Sequence, residues 1–171
     1  MLDRLLDFVL GVLDLFRFWV VVDQYERHVI LRFGVHHRTL EPGIHWFAPF
    51  GIERSLHDNV VARVLNLGAQ SLTTRDGENV AVSGVVTAEI RDIEKALLAV
   101  EQVDHALADS CVGTIGQLVA AATWAELQGE GFSELLTKAC RKQAWKYGIE
   151  ITRVQLSDLS KAHVLRIHTG A

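Results

Sequence analysis

The sequence predicts an α+β fold, with antiparallel strands and packed helices preceded by an N-terminal amphipathic helix, and three patterns predict it. Between Ser71 and Ile90, two β-rich arms flank an Asp-Gly pair, a strong hairpin signal. After Asp92 the apolar period lengthens from two to about 3.6 residues. Before Asp23 the apolar residues gather on one side of a helical wheel. The chain has 171 residues, 49% hydrophobic against 22% charged, which suits about one domain with a real core and argues against disorder.

Residues 1–22 read as an amphipathic, membrane-seeking helix. Leu2, Leu5, Val9, Val12, Leu13, Phe16 and Trp19 cover one side, and Phe8 opens the longest early apolar run. Asp3, Asp7, Gly11 and Asp14 form the opposite stripe, flanked by Arg4 and Arg17, with Phe18 also on the polar side. A spanning helix needs about 20 nearly unbroken apolar residues. One charge near the bilayer centre costs roughly 2.5–3.5 kcal/mol, while each large apolar residue returns about 0.3–0.6. Asp7 and Asp14 therefore favour a helix lying in the interface. No positive n-region and no small-residue cleavage pattern precede Asp23, so the segment is not a signal peptide. The polar face is acidic, whereas interfacial helices usually present Lys or Arg. Packing of the stripe on its own domain or on a neighbouring subunit is the alternative.

The body follows in order. Glu26 to Phe33 reads as a strand ending in a turn at Gly34, and Asn59 to Leu67 as a second strand. In the second arm of the hairpin, Val80, Val82, Gly84, Val86, Ala88 and Ile90 form a dry face. Asp92 is placed to cap a short helix, EKALLAV. Two longer helices bury Val103, Leu107, Cys111, Ile115, Leu118 and Ala122, and then Phe132, Leu135, Leu136, Ala139, Gln143 and Tyr147. Lys138, Arg141, Lys142 and Lys146 make a solvated face, and Gly148 stops the helix. The last strand, Ile149 to Leu159, changes parity between Ile151 and Val154, which calls for a bulge near Thr152 or Arg153. No stretch of Ser, Gly or Pro marks a boundary, so residues 23–171 read as one domain.

Several chemistries are excluded. A net charge of −4 with 17 Lys and Arg spread along the chain offers no stripe for phosphate backbones, so no nucleic acid is expected. Cys111 and Cys140 lie in helical patterns without a CxxC partner and read as packed thiols. The tempting pair among the eight histidines, His36 and His37, points to opposite sides of a strand, so no metal is expected. No nucleophile elbow, phosphate loop or HExxH is present, and Arg75 and Asp76 are read as serving a turn. No catalytic residue and no cofactor are assigned.

Three blocks in order, VVVDQYERHVILRFGVHHRTLEPGIHWFAPF, QSLTTRDGENVAVSGVVTAEIRDIEKALLAV and KYGIEITRVQLSDL, closely resemble the SPFH family of stomatin, prohibitin and flotillin, most of all its stomatin branch. The resemblance covers about Val21 to Leu159. It implies an SPFH-like α+β domain that acts without catalysis as an oligomerising scaffold on a membrane face. It also implies that residues 1–22 are the membrane anchor, and that Gly43 to Phe50 lies near lipid as a loop. The clustering of Trp46, Phe47 and Phe50 around Pro49 agrees with that. Family members usually continue into a long C-terminal coiled coil, and SKAHVLRIHTGA has no heptads for one. Self-association is therefore expected to use the domain body and the N-terminal helix.

The function expected is a membrane-associated scaffold or adaptor on the cytoplasmic face of a plasma or inner membrane. It would organise lipid microdomains or regulate a membrane protease, channel or transporter. Its partners would be membrane lipids, other copies of itself and other SPFH proteins. The alternative is a soluble structural or interaction module whose N-terminal helix packs on a partner protein.

Overall fold

The computed structural model of the chain describes residues 18–161, so the helical pattern of residues 1–17 and the segment 162–171 lie outside it. The described residues divide into two compact units, one built from residues 18–61 and 90–101, the other from 62–89 and 102–161. The sequence treats 23–171 as one domain because the units interleave along the chain, and no linker composition marks the crossings.

The first unit holds five short strands and a helix: β1 (Trp19–Val22), β2 (Glu26–Arg32), β3 (Val35–Leu40), β4 (Gly43–Trp46), β5 (Glu53–Asn59) and α1 (Ile93–Leu98). β2 is central in an antiparallel sheet of order β3-β2-β5, while β1 and β4 form a separate two-stranded ribbon. A lone ribbon is marginal in water. This one is held by Val22, which is buried with Ile30 and Leu40, while Val20 and Phe47 close the edge of that cluster. Asp92 caps α1 as expected, accepting from the Lys95 N–H at 3.1 Å.

Three sequence expectations need correction here. The anchor helix cannot run to residue 22, because Trp19–Val22 is β1, paired residue by residue with β4. A run such as FWVVV fits either period, and the pairing decides. Gly43 to Phe50 is not all loop, since Gly43–Trp46 is β4. Asn59 to Leu67 is not one strand, because β5 ends at Asn59 and the next strand starts at Arg63. The intervening Val60 N–H instead donates to the Tyr25 carbonyl at 2.9 Å.

The second unit contains β6 (Arg63–Thr73), β7 (Asn79–Ile90), α2 (Val103–Ala121), α3 (Trp124–Leu127), α4 (Gly131–Ala144), a 3-10 turn (Trp145–Tyr147) and β8 (Ile149–Lys161), with sheet order β6-β7-β8. The predicted hairpin is β6–β7. Thr74 N–H donates to the Glu78 carbonyl at 2.9 Å, and Gly77 takes a φ of 82° in the three-residue loop between them. The alternating face of β7 is buried as expected. α2 packs on β6 and α4, and α4 packs on β8.

Helix faces follow stricter rows than the sequence suggests. α2 buries Val103, Leu107, Cys111, Ile115 and Val119, so Val119 replaces the expected Leu118. α4 buries Phe132, Leu136, Cys140 and Ala144, while Leu135 and Gln143 turn outward. Both rows step by four residues, the ridge along which helices commonly pack. Cys111 and Cys140 are free and buried. Their mutual hydrogen bond, together with burial, pushes the Cys111 thiol upward and keeps it protonated.

Polar side chains complete the backbone where regular structure breaks. Asp76 accepts from the Trp124 N–H at 3.2 Å and from the Thr74 hydroxyl, and Arg75 N–H donates to the Ala122 carbonyl at 2.9 Å. The tip residues expected to serve a turn also cap the α2–α3 corner, and those donors hold the Asp76 carboxyl below the usual carboxylate range. The expected parity change in β8 is present, with Thr152 and Arg153 exposed between buried Ile151 and Val154. There Arg141 donates to the carbonyls of Ile151 and Thr152 at 2.9 and 3.3 Å, and Val154 N–H donates to Thr137 Oγ1 at 3.0 Å.

Gly84 shows where β7 depends on a missing side chain, because a Cβ there would lie 2.7 Å from the Gln155 carbonyl oxygen of β8. Gly84→Ala should destabilise the protein by about 1–3 kcal/mol. Chemical denaturation measures this, and an unchanged midpoint would contradict the β7–β8 contact.

Candidate functional site

The first unit carries an unusual surface. In the β1–β4 ribbon, Trp19 lies opposite Trp46 and Val21 opposite Ile44. Residues two apart on a strand share a face, so these four side chains form one panel, exposed by 57, 77, 55 and 77% respectively. The other face of the ribbon carries Val20 and Val22 to the core.

Two tight turns of the same unit carry further exposed aromatic side chains. Phe33 and Gly34 join β2 to β3 with φ of 51° and 81°, and Phe50 and Gly51 lie in the turn before β5 with φ of 63° and 72°. Two consecutive positive φ values are what a type I′ turn requires, and Asn-Gly satisfies it with least strain. A bulky aromatic residue in that region is a steric outlier costing about 1–3 kcal/mol. Here Phe appears twice, and both rings are exposed. The Phe33 N–H donates to the Ile52 carbonyl at 3.1 Å, so the two turns lie side by side, with Val35 exposed next to them. Strain and exposure at the same two residues point to a surface kept for contact.

Glu53 anchors this arrangement from beneath. Its side chain is buried, and Oε1 accepts from Arg32 Nη2 at 2.7 Å and Nε at 3.2 Å. Oε2 accepts from the Ala48 N–H at 3.0 Å and faces Arg38 Nη2 at 3.5 Å, while Arg38 also donates to the Trp46 carbonyl. One carboxylate thus joins the strand leading to the first Phe-Gly turn, the end of β4 and the loop leading to the second. Burial pushes the Glu53 carboxyl up, but the Ala48 N–H, the Arg32 hydrogen bonds and the charges of Arg38 and Arg32 outweigh it and hold the group below its ordinary range.

Of the residues the sequence singles out for membrane contact, Leu2, Leu5, Phe8, Val9, Val12, Leu13 and Phe16 lie outside the described residues. Trp19 and Trp46 face each other on the exposed side of the ribbon and Phe50 is exposed in its turn, while Phe47 is half-buried against the core. Val21, Phe33, Val35 and Ile44 are the additions. Two Phe-Gly pairs at positions that suit Asn-Gly were the available signal for the turns. Among the described residues, no helix is long and apolar enough to cross a membrane and no group of three or more His, Cys, Asp or Glu gathers to hold a metal. His36 faces Glu94 at 3.4 Å while His37 is exposed, as alternation along β3 requires.

Glu53→Gln should lower stability by roughly 1.5–3 kcal/mol, the range for losing hydrogen bonds to a charged group. Because the folded-state pKa is depressed, the carboxylate's contribution is fully present above the unfolded value and is lost as pH falls through the folded one. The difference between wild type and variant should therefore be constant near neutrality and shrink below about pH 4. Thermal unfolding at several pH values measures it, and a gap that persists in acid would assign the effect to shape rather than charge.

A family model described as SPFH domain / Band 7 family matches residues 20–166. The chain is similar to an uncharacterized protein of Methanocaldococcus jannaschii, 27% identical over 156 residues, covering 88% of this chain and 78% of that one. It is similar to the mitochondrial stomatin-like protein 2 of Homo sapiens, 28% identical over 142 residues, covering 81% of this chain and 39% of that one. A stomatin homolog of Pyrococcus horikoshii is 26% identical over 141 residues, covering 81% of this chain and 53% of that one. The match thus spans about two fifths to one half of the two stomatin relatives.

Proposed function

The chain belongs to the SPFH domain / Band 7 family, in its stomatin-like branch, and from that premise we propose that it is a non-enzymatic membrane-associated scaffold whose first unit rests its aromatic face on the lipid surface. The observation that carries this is the joint exposure of Trp19, Trp46, Phe33 and Phe50 on one unit, two of them in strained turns. Aromatic rings favour the membrane–water interface because an apolar ring body can enter the acyl boundary there. Each large apolar side chain transferred from water contributes roughly 1.5–3 kcal/mol when burial is complete. The panel alone can therefore support reversible binding.

In this reading residues 1–17 add a second anchor, with Leu2, Leu5, Phe8, Val9, Val12, Leu13 and Phe16 facing lipid. Two weak anchors together convert marginal binding into stable attachment. Self-association on the cytoplasmic face of a plasma or inner membrane would then gather lipids and hold a protease, channel or transporter. The alternative, a soluble module, assigns the same apolar panel to a partner protein.

Liposome flotation of the full chain separates the two. Trp19→Ser with Trp46→Ser should weaken liposome binding at least about tenfold, and Phe8→Ser, Val12→Ser and Phe16→Ser together should release most of what remains. Phe33→Asn with Phe50→Asn is more diagnostic. It should weaken flotation while leaving the melting temperature unchanged or higher, because Asn tolerates positive φ better than Phe. Undiminished flotation in the Asn variant would remove the turns from the membrane site, and a wild-type chain that never floats would favour the soluble module.

A further inference from the structure

The described part of β8 ends at Lys161, and two contacts fix the place from which the chain goes on. The Lys161 ammonium pairs with Glu78 Oε1 at 2.9 Å, beside the β6–β7 loop, and lies 5.2 Å over the Trp124 ring of α3. The chain therefore leaves β8 at the α2–α3 corner, where Asp76 holds the Trp124 N–H and the Arg75 N–H holds the Ala122 carbonyl.

An apolar groove opens at the same corner. Leu118, Ala121, Ala122, Phe132 and Leu135 wall it among α2, α3 and α4, and its volume of about 450 Å³ is in the range of ligand sites. Arg75 and Glu126 complete the lining 3.7 Å from each other, so their charges offset and what the groove offers an occupant is apolar. Trp124 falls between Ala122 and Glu126, which places the Lys161 contact at the margin of the groove. Leu135 at its edge is 49% exposed, a large apolar side chain left half uncovered.

We propose that residues 163–168, HVLRIH, turn back from Lys161 over this groove and seat Leu165 and Ile167 in it. Leu165 is four residues beyond Lys161 and Ile167 six, reaches of about 14 and 20 Å in extended chain. Residues two apart in an extended segment share a face, so these two side chains enter together. The segment carries no Asp or Glu whose desolvation would oppose entry. Burying Leu165, Ile167 and the open edge of Leu135 supplies the driving force. A segment tethered a few residues away is also at far higher effective concentration than a free peptide of the same composition, which favours the chain's own residues as occupant. The contact lies within the second unit and is independent of the membrane reading. It makes the groove a gated surface, open to another apolar segment only when residues 163–168 are withdrawn.

Cross-linking of the full chain in mild detergent tests this. Leu135→Cys with Ile167→Cys should form an intramolecular disulfide in oxidised glutathione at least about tenfold faster than Lys142→Cys with Ile167→Cys, in which the first thiol lies about two turns along α4 from Leu135. Both native cysteines are buried, and peptide mapping assigns the bridge. Trypsin reads the same contact without added thiols. Cleavage after Arg166 should be at least about tenfold faster in Leu135→Asp than in the wild type, while cleavage after Lys142 and Lys146, which reports opening of the domain itself, stays unchanged. The inference is overturned if the bridge forms no faster than in the Lys142 pair, if it joins two chains instead of closing within one, or if Leu135→Asp leaves cleavage after Arg166 unchanged.

Discussion

The first unit depends on one buried carboxylate. The Glu53 side chain is buried, and a charge in that position is tolerated only when paired and hydrogen-bonded. Arg32, Arg38 and the Ala48 N–H meet that demand, and each belongs to a different part of the unit. Arg32 precedes the first Phe-Gly turn, Arg38 sits on β3 and also holds the Trp46 carbonyl, and Ala48 leads toward the second turn. Satisfying one carboxylate therefore sets the positions of the segments that carry the exposed aromatic rings. The rings stand on a fixed frame, and a side chain held in place loses less conformational freedom when it enters lipid or a partner.

The two units differ in where they depart from ordinary folding rules. The second keeps its buried rows on α2, α4 and β7, and where its backbone is interrupted Asp76, Thr137 and Arg141 supply the missing hydrogen bonds. The first leaves Trp19, Trp46, Phe33 and Phe50 in water and holds two of them at positive φ. Both features lower stability, and such local conflicts concentrate at functional surfaces.

The sequence by itself determined the α+β class, the β6–β7 hairpin around Gly77, the dry face of β7, the Asp92 cap, the helix over Val103–Ala121 and the parity change in β8. These are local properties, written in the period of apolar residues and in the backbone needs of Asp and Gly within a few positions. The family was legible in the same way, from short blocks in a fixed order. Tertiary structure alone decided that WVVV is a strand paired with GIHW, since a run of β-branched residues next to an apolar segment suits either period until a partner strand is present. It also decided that VHHRTL and ERSLHDN are strands flanking β2, because their polar side chains hide the pattern that burial would have written. Phe47 packed half-buried against the core while Phe33 and Ile44 came to the surface, and Glu53 became the hub of two arginines. Each of those outcomes depends on pairings between segments distant in the chain, and no local period or spacing encodes which distant segment will supply the partner.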